Sequence, residues 1–496
     1  MAFFPAIATY PSLLGEMYSA AFTAPAFNWL CSPACTELET IVMDWVAKAL
    51  ALPDCFLSTS SGGGGGVIHG SASEAIVTVM VAARERYLRL KTDDEGLQAG
   101  TMERDDRIAF LRGRMVALSS DQAHSSTQKG ALITGTRYCS IPTSLSEDLS
   151  LTAPRLEETL QTCYADGLEP YYLTLSLGTT STCAVDDFAS IATLRSKYPN
   201  LWIHIDAAYA GAALILPKYQ TRYSPSIGAV ADSFNFNMHK WLLVNFDASC
   251  LFVQNRNHLT RALSVTASYL QNTFTDSGLV TDYRDWQIPL GRRFRALKIW
   301  FVMRTYGVEG LRKHIENSMQ VGEAFRDMVM DRDDLFEIIA TSRFALTCLR
   351  VRPEVVVAAA RTVHRRKEEE VYTNGHATPA NQSSKAASSR TYELEEEDTM
   401  KIDAPSNLPN SNSTEAENEE QAETLANTAT KDIAELINSR GDIFISPSTT
   451  AGKTFIRVVS GNPAASEEYA RRAFEVIVRS TEEVLGRQRE GERLRN

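Results

Sequence analysis

The stretch Ser233-Phe234-Asn235-Phe236-Asn237-Met238-His239-Lys240-Trp241-Leu242-Leu243-Val244-Asn245-Phe246-Asp247 places a lysine inside an aromatic and apolar run. Burying an ammonium is costly unless it is paired or neutralised. Alone, such a lysine reads as a side chain whose stem packs while its head reaches solvent. His239 and Asn237 give it polar neighbours, and an element upstream changes the reading. Leu201-Trp202-Ile203-His204-Ile205-Asp206-Ala207-Ala208-Tyr209-Ala210-Gly211 reads as a buried strand ending in an aspartate.

An aspartate at the end of a buried strand, with a lysine on a later turn, suits pyridoxal phosphate (PLP). A lysine amine forms a Schiff base with the cofactor aldehyde. An aspartate pairs with the pyridine nitrogen and keeps it protonated, so the ring accepts electrons. On the runs FNFNMHKWLLVNFD and HIDAAYAG the chain resembles the PLP-dependent aromatic-L-amino-acid decarboxylases, a branch of the group II decarboxylases. The resemblance implies an α/β chain with a type I PLP-dependent aminotransferase-like fold. That fold has a largely parallel central sheet with helices on both faces, plus a smaller α+β C-terminal domain. It also implies PLP attached to Lys240, with Asp206, Ala208, Asn237 and His239 among its contacts, and a homodimer.

The bulk numbers bound the alternatives. A chain of 496 residues is long enough for more than one domain and a large core. A net charge of −11 argues against nucleic acid or an anionic membrane as partner, although part of that charge sits in one acidic segment. Of the 8 cysteines, Cys31 and Cys35 are the close pair, and no His or Cys pair completes a zinc pattern beside them. No metal is expected, and the cysteines read as reduced thiols of a cytoplasmic protein. No Lys or Arg precedes Lys48, so the apolar start lacks the basic region of a signal peptide. No apolar run approaches the roughly 18 residues of a membrane span.

Two early stretches resemble family segments: Phe3-Phe4-Pro5 with Tyr10–Met17 at the substrate mouth, and Trp29–Glu39 leading into a helix. The family carries a further N-terminal helical segment that wraps around the partner subunit. It does not precede Met1 here, so a dimerisation segment is expected to be missing, as an incomplete gene model or alternative start would leave it. The run Ser60–Gly66 reads as a Gly/Ser turn leading into a helix over Glu74–Leu90, where Ala75, Val79, Ala82, Ala83, Tyr87 and Leu90 fall near helical spacing. Free N–H groups and the helix dipole make such a start a phosphate site. The resemblance gives Ala72 and Ser73 that role. His69 stands where the family more often has Gln, and nothing in the sequence accounts for it.

Met115–Ser119 and Tyr171–Ser176 read as strands, and strands alternating with helices predict a largely parallel sheet. Ligands of such sheets bind beyond the carboxyl ends of the strands, where Asp206 falls. His124, taken alone, is a capping or core histidine. The resemblance lays it flat against the PLP ring, near the leaving carboxylate, and turns Thr180 toward the cofactor. Asp186 and Asp187 read as first-turn acids of a helix. Val265–Thr273 reads as a mobile loop, which in the family closes over the site. Decarboxylases carry a tyrosine at the place of Tyr269, whereas related aldehyde synthases typically carry phenylalanine. A phenol can protonate a carbanionic carbon and a phenyl cannot. Gly291 occupies the place where plant relatives have Gly with indole substrates and Ser with phenolic ones.

The large domain is expected over residues 1–303 and the small domain over 304–496. Residues 366–427 combine charge runs with Asn, Ser, Pro and Ala and read as a disordered acidic insertion, because they cannot bury enough surface to offset chain entropy. Ile443–Ser446 and Thr454–Ser460 read as strands and Glu467–Leu485 as an amphipathic helix. The expected activity is decarboxylation of an aromatic L-amino acid, with Lys240, His124 and Tyr269 catalytic. An aromatic aldehyde synthase, a histidine decarboxylase and a catalytically inactive relative stay open.

Overall fold

The computed structural model describes residues 4–265, 273–276, 280–362 and 414–486. Tyr269 and residues 366–413 of the expected insertion lie outside these described residues.

Seven strands form the larger sheet: β1 Gly65–His69, β2 Met115–Ser120, β3 Arg137–Ile141, β4 Glu169–Ser176, β5 Trp202–Asp206, β6 Ser233–Asn237 and β7 Ser249–Val253. Their order is β1-β7-β6-β5-β4-β2-β3. All neighbours are parallel except at β7, which runs antiparallel to both β1 and β6. The central strands are buried throughout, as strands covered on both faces must be. Successive residues feed different cores: Val116, Leu118, Leu173 and Ile203 pack on one face, Ala117, Tyr172 and Trp202 on the other. The parallel run brings the ends of β2, β4, β5 and β6 to one edge, as the Asp206 reading required.

The glycine run behaves differently from the expected turn. Gly65 and Gly66 already belong to β1, and the helix starts one short turn later, over Ala72–Asp94. The glycines are there for close approach. A Cβ on Gly66 would come within 2.5 Å of Met43 Cε and 2.8 Å of the Phe252 ring. Asp186 also departs from its reading. Only Asp187 caps the following helix, accepting the Ser190 N–H at 3.1 Å. Asp186 is buried and accepts the N–H groups of Leu151 and Ser176 at 2.9 and 2.7 Å.

The helix Arg295–Met330 leads out of this domain, with its break at Gly307, where φ is 61° and ψ is −179°. A second sheet then forms from β8 Phe336–Ile338, β9 Leu346–Val351, β10 Ser446–Thr450 and β11 Lys453–Val459, in the antiparallel order β10-β11-β9-β8. β10 begins where the expected Ile443–Ser446 strand was to end. Ile445 is instead a buried residue before it. Among the described residues no helix is long and apolar enough to cross a membrane.

The disorder assigned to 366–427 is corrected at its far end. Glu415–Arg440 is one helix, opened by a capping box in which Thr414 and Glu417 exchange side-chain bonds with each other's backbone. Its stripe Leu425, Ala426, Ala429 and Ile433 is buried against the small sheet. The five acids before Leu425 hid that stripe in the sequence, yet Glu423 is itself structural. Its Oε2 lies 2.7 Å from the guanidinium of Arg350, a fully buried arginine that Glu337 also meets at 3.0 Å. Replacing Glu423 by Ala should therefore lower stability by about 1–3 kcal/mol, measured by urea unfolding. The exposed Glu419→Ala should be neutral, and equal effects from the two would refute the role given to Glu423.

Candidate active site

Lys240 sits on the single helical turn Met238–Trp241 that follows β6. Its amine faces a cavity of about 220 Å³ at the carboxyl edge of the sheet. That exceeds the ~150 Å³ that takes up a benzene. Burial pushes the pKa of Lys240 below the ordinary lysine value, and the negative charge of Asp206 opposes that shift without cancelling it. Asp206 closes β5, is buried, and is fixed by the Ala208 N–H, which donates to its Oδ1 at 3.0 Å. One wall is aromatic: Tyr209 stacks between Phe4 and Trp241, with centroid separations of 3.8 and 4.6 Å. The Lys240 ammonium lies 5.5 Å from the Phe4 ring centroid.

The other expected residues gather on the same cavity. His124 lines it from the loop after β2, with Nδ1 accepting the Ser126 N–H at 3.2 Å and 2.9 Å from the Ser126 hydroxyl. Ser71, Ala72 and Ser73 bring the N-terminus of the helix Ala72–Asp94 to it, with Ser71 as N-cap. Thr180 lines it from the turn after β4, and Ala208 from the turn after β5. His239 accepts the Ala248 N–H through Nδ1 at 2.8 Å. Burial first, and then the Lys240 charge, lower its pKa to about 4, so it is a neutral imidazole near pH 7. Asn237 Oδ1 is buried in the cavity wall without a hydrogen-bond partner among the described residues. An acceptor left in that state suits a site that a polar ligand completes.

Sequence reasoning missed two members. Arg457, from β11 of the small domain, reaches back so that its guanidinium lies 5.2 Å from the Phe4 ring centroid, while its Nε donates to the Ser181 carbonyl at 3.0 Å. Tyr209 donates its hydroxyl to the Phe344 carbonyl, also across the domain boundary, at 2.9 Å. No local pattern marks either one. Both arise because the small sheet docks on the large domain.

An amine, a fixed carboxylate, an imidazole, an orphan amide oxygen and a helix N-terminus thus face one space. This donor set fits a phosphorylated, aldehyde-bearing pyridine. Lys240 would take the aldehyde, Asp206 the ring nitrogen, and Ala72 and Ser73 the phosphate.

Comparisons with known proteins agree. The family model described as the pyridoxal-dependent decarboxylase conserved domain matches residues 1–352. An aromatic-L-amino-acid decarboxylase of Rattus norvegicus is 45% identical over 351 residues, covering 71% of this chain and 70% of the relative. A phenylacetaldehyde synthase of Arabidopsis thaliana is 36% identical over 479 residues, covering 96% of this chain and 80% of the relative. A solved structure of Oryza sativa TDC with PLP and tryptamine superposes with a TM-score of 0.78 at 31% identity, covering 98% of this chain and 83% of that one.

The electrostatics yield a pH prediction. A lysine whose pKa is depressed carries a free amine at lower pH than an exposed one. Reductive alkylation of Lys240 by an aldehyde, followed by mass spectrometry, should be half-maximal below the ordinary lysine value of about 10.4. Asp206→Asn removes the opposing charge and should move the midpoint lower still. A midpoint at the ordinary value in both proteins would contradict the burial of the amine.

Proposed function

The chain belongs to the pyridoxal-dependent decarboxylases, and from that premise we propose that it converts an aromatic L-amino acid into the corresponding arylalkylamine and CO2. The observation that carries this reading is the convergence of Lys240, Asp206, His124 and the Ala72–Ser73 helix start on one cavity with an aromatic wall. When bound, PLP supplies an aldehyde that an amine can add to and a ring that accepts the electron pair left by CO2.

The protein's own groups do the rest. Lys240 offers an amine already biased toward its neutral, nucleophilic form. Asp206, held by the Ala208 N–H, keeps a negative charge at the base of the cavity, which favours the protonated form of a base placed against it. His124 is fixed by Ser126 on the cavity wall, and a planar imidazole there is able to stack on a ring. Phe4 and Tyr209 form an apolar wall suited to an aromatic side chain. Arg457 places a guanidinium 5.2 Å from the Phe4 ring centroid, beside the cavity, a charge that suits a substrate carboxylate. Tyr269 would supply the proton for the α-carbon, and Lys240 the amine that frees the product.

A second reading is aldehyde synthesis, favoured by the 36% identity to the phenylacetaldehyde synthase across 96% of the chain. Tyr269 favours the decarboxylase. A Cβ on Gly291 would meet nothing within 4 Å, so the fold itself does not require glycine there.

A homodimer is supported by the helix Tyr10–Phe22, whose Tyr10, Leu13, Leu14 and Met17 are exposed on a face that a second copy would cover. A cytoplasmic location is supported by free thiols at all 8 cysteines.

Lys240→Ala should lose the visible absorbance of lysine-bound PLP and lose turnover with it. That absorbance persisting without added amine would move the attachment point elsewhere. Tyr269→Phe should divert product from amine to aldehyde, ammonia and peroxide. Assays of tryptophan and tyrosine for CO2, amine and peroxide read this directly, and an undiminished amine yield would remove Tyr269 from the mechanism.

A further inference from the structure

His69, which no local pattern explained, ends β1 and is wholly buried. Its Nδ1 lies 3.3 Å from Glu74 Oε1. The other carboxylate oxygen, Oε2, accepts the Gly70 N–H at 2.9 Å. The Glu74 N–H donates to Ser71 Oγ at 3.1 Å. Glu74 is therefore tied, through side chain and backbone, to the two residues that lead into Ala72 and Ser73. The turn has no slack on its other side. A Cβ on Gly70 would lie 3.0 Å from Asp247 Oδ2, 3.2 Å from Glu74 Oε2 and 3.4 Å from Arg295 Nη2. Arg295 and Asp247 are themselves locked by two parallel bonds of 3.0 and 2.9 Å.

This arrangement addresses a conflict of charge. A glutamate in the first turn of a helix competes with any anion for the positive end of the dipole. Here the carboxylate reaches back past the N-cap to the Gly70 N–H, and Glu74 is not among the residues that line the cavity, whereas Ser71, Ala72 and Ser73 are. Burial pushes the Glu74 carboxyl upward, yet His69, the Gly70 N–H and Arg295 together hold it below the usual glutamate value. On β7, Ser249 is the direct cross-strand neighbour of His69, and its buried hydroxyl has no hydrogen-bond partner among the described residues. Neither ring nitrogen of His69 has a hydrogen-bond partner among the described residues, so what couples the buried imidazole to Glu74 is the 3.3 Å ion-pair contact.

We propose that His69 is a positioning residue for phosphate: by holding the Glu74 carboxylate against Gly70 it keeps the Gly70–Ser73 turn shaped for the cofactor phosphate and keeps the glutamate charge off that phosphate. The inference rests on the phosphate placement at Ala72 and Ser73 given under the proposed function.

The contrast between PLP and pyridoxal, which lacks the phosphate, tests it. Dissociation constants are measured by absorbance titration of the apoprotein, alongside the apoprotein melting temperature. His69→Leu should weaken PLP about ten-fold or more while leaving pyridoxal unchanged. His69→Gln, whose amide can still donate to Glu74, should restore most of the PLP affinity. Equal weakening of PLP and pyridoxal would reduce His69 to a packing residue and overturn the proposal, as would unchanged PLP binding in His69→Leu. Should the leucine variant fail to fold, His69→Asn, polar but too short to reach Glu74, reads the same contrast. Ser73→Ala separates the premise from the inference. If Ser73→Ala weakens PLP selectively and His69→Leu and His69→Asn do not, the role of His69 fails alone. If none of the variants shows the contrast, the phosphate placement fails with it.

Discussion

A lysine buried beside an aromatic wall must be neutralised or held in the field of a negative charge, and at Lys240 burial favours the neutral amine while the charge of Asp206 opposes it. Everything about the larger sheet serves it. Asp206 is positioned by a strand buried on both faces, and Lys240 by the turn after the adjacent parallel strand. Because the two strands run the same way, their ends deliver both groups to one edge. An antiparallel neighbour would have carried the lysine to the opposite side of the domain. The same geometry brings the turns after β2 and β4 there, and with them His124 and Thr180.

The small domain completes this edge. Tyr209 is clamped by the Phe344 carbonyl, and the clamp holds the ring that stacks on both Phe4 and Trp241. Arg457 arrives from β11 on the same side. Arg350 anchors the small sheet to the helix Glu415–Arg440 through Glu423. A buried arginine is tolerated only where carboxylates meet it, which explains why a helix with so acidic a start is ordered.

A cluster of charges ties the early helix to the cofactor side of the site. Lys298, with no exposed side-chain surface, meets Glu16 of the helix Tyr10–Phe22 at 2.7 Å and Asp247 at 4.0 Å. Asp247 is also the partner of Arg295, which faces the Gly70 turn. Helix docking, the long helix Arg295–Met330 and the Gly70–Ser73 turn therefore share one electrostatic centre. Removing one member would leave the others buried with uncompensated charge, a cost that falls on the turn as much as on the helix.

The sequence alone determined the parallel α/β architecture, the lysine in its apolar run, the aspartate at its strand end, and a helix over Glu74–Leu90, whose start lies two residues earlier, at Ala72. Each follows from a local rule: a continuous apolar run, a breaker, helical spacing or a polar residue out of place. The tertiary structure decided what local rules cannot reach. The last glycines of Ser60–Gly66 proved to be strand residues pressed against Met43 and Phe252, because close approach is a property of neighbours distant in the chain. Asp186 became a buried acceptor for Leu151 and Ser176. Leu425 and Ala426 turned an acidic stretch into a packed helix once a sheet lay beneath them. Arg457 entered the site from more than two hundred residues away, and His69 acquired its role from Glu74 and the turn around it. In each case the deciding energy comes from contacts between distant segments, which form only once the chain has folded.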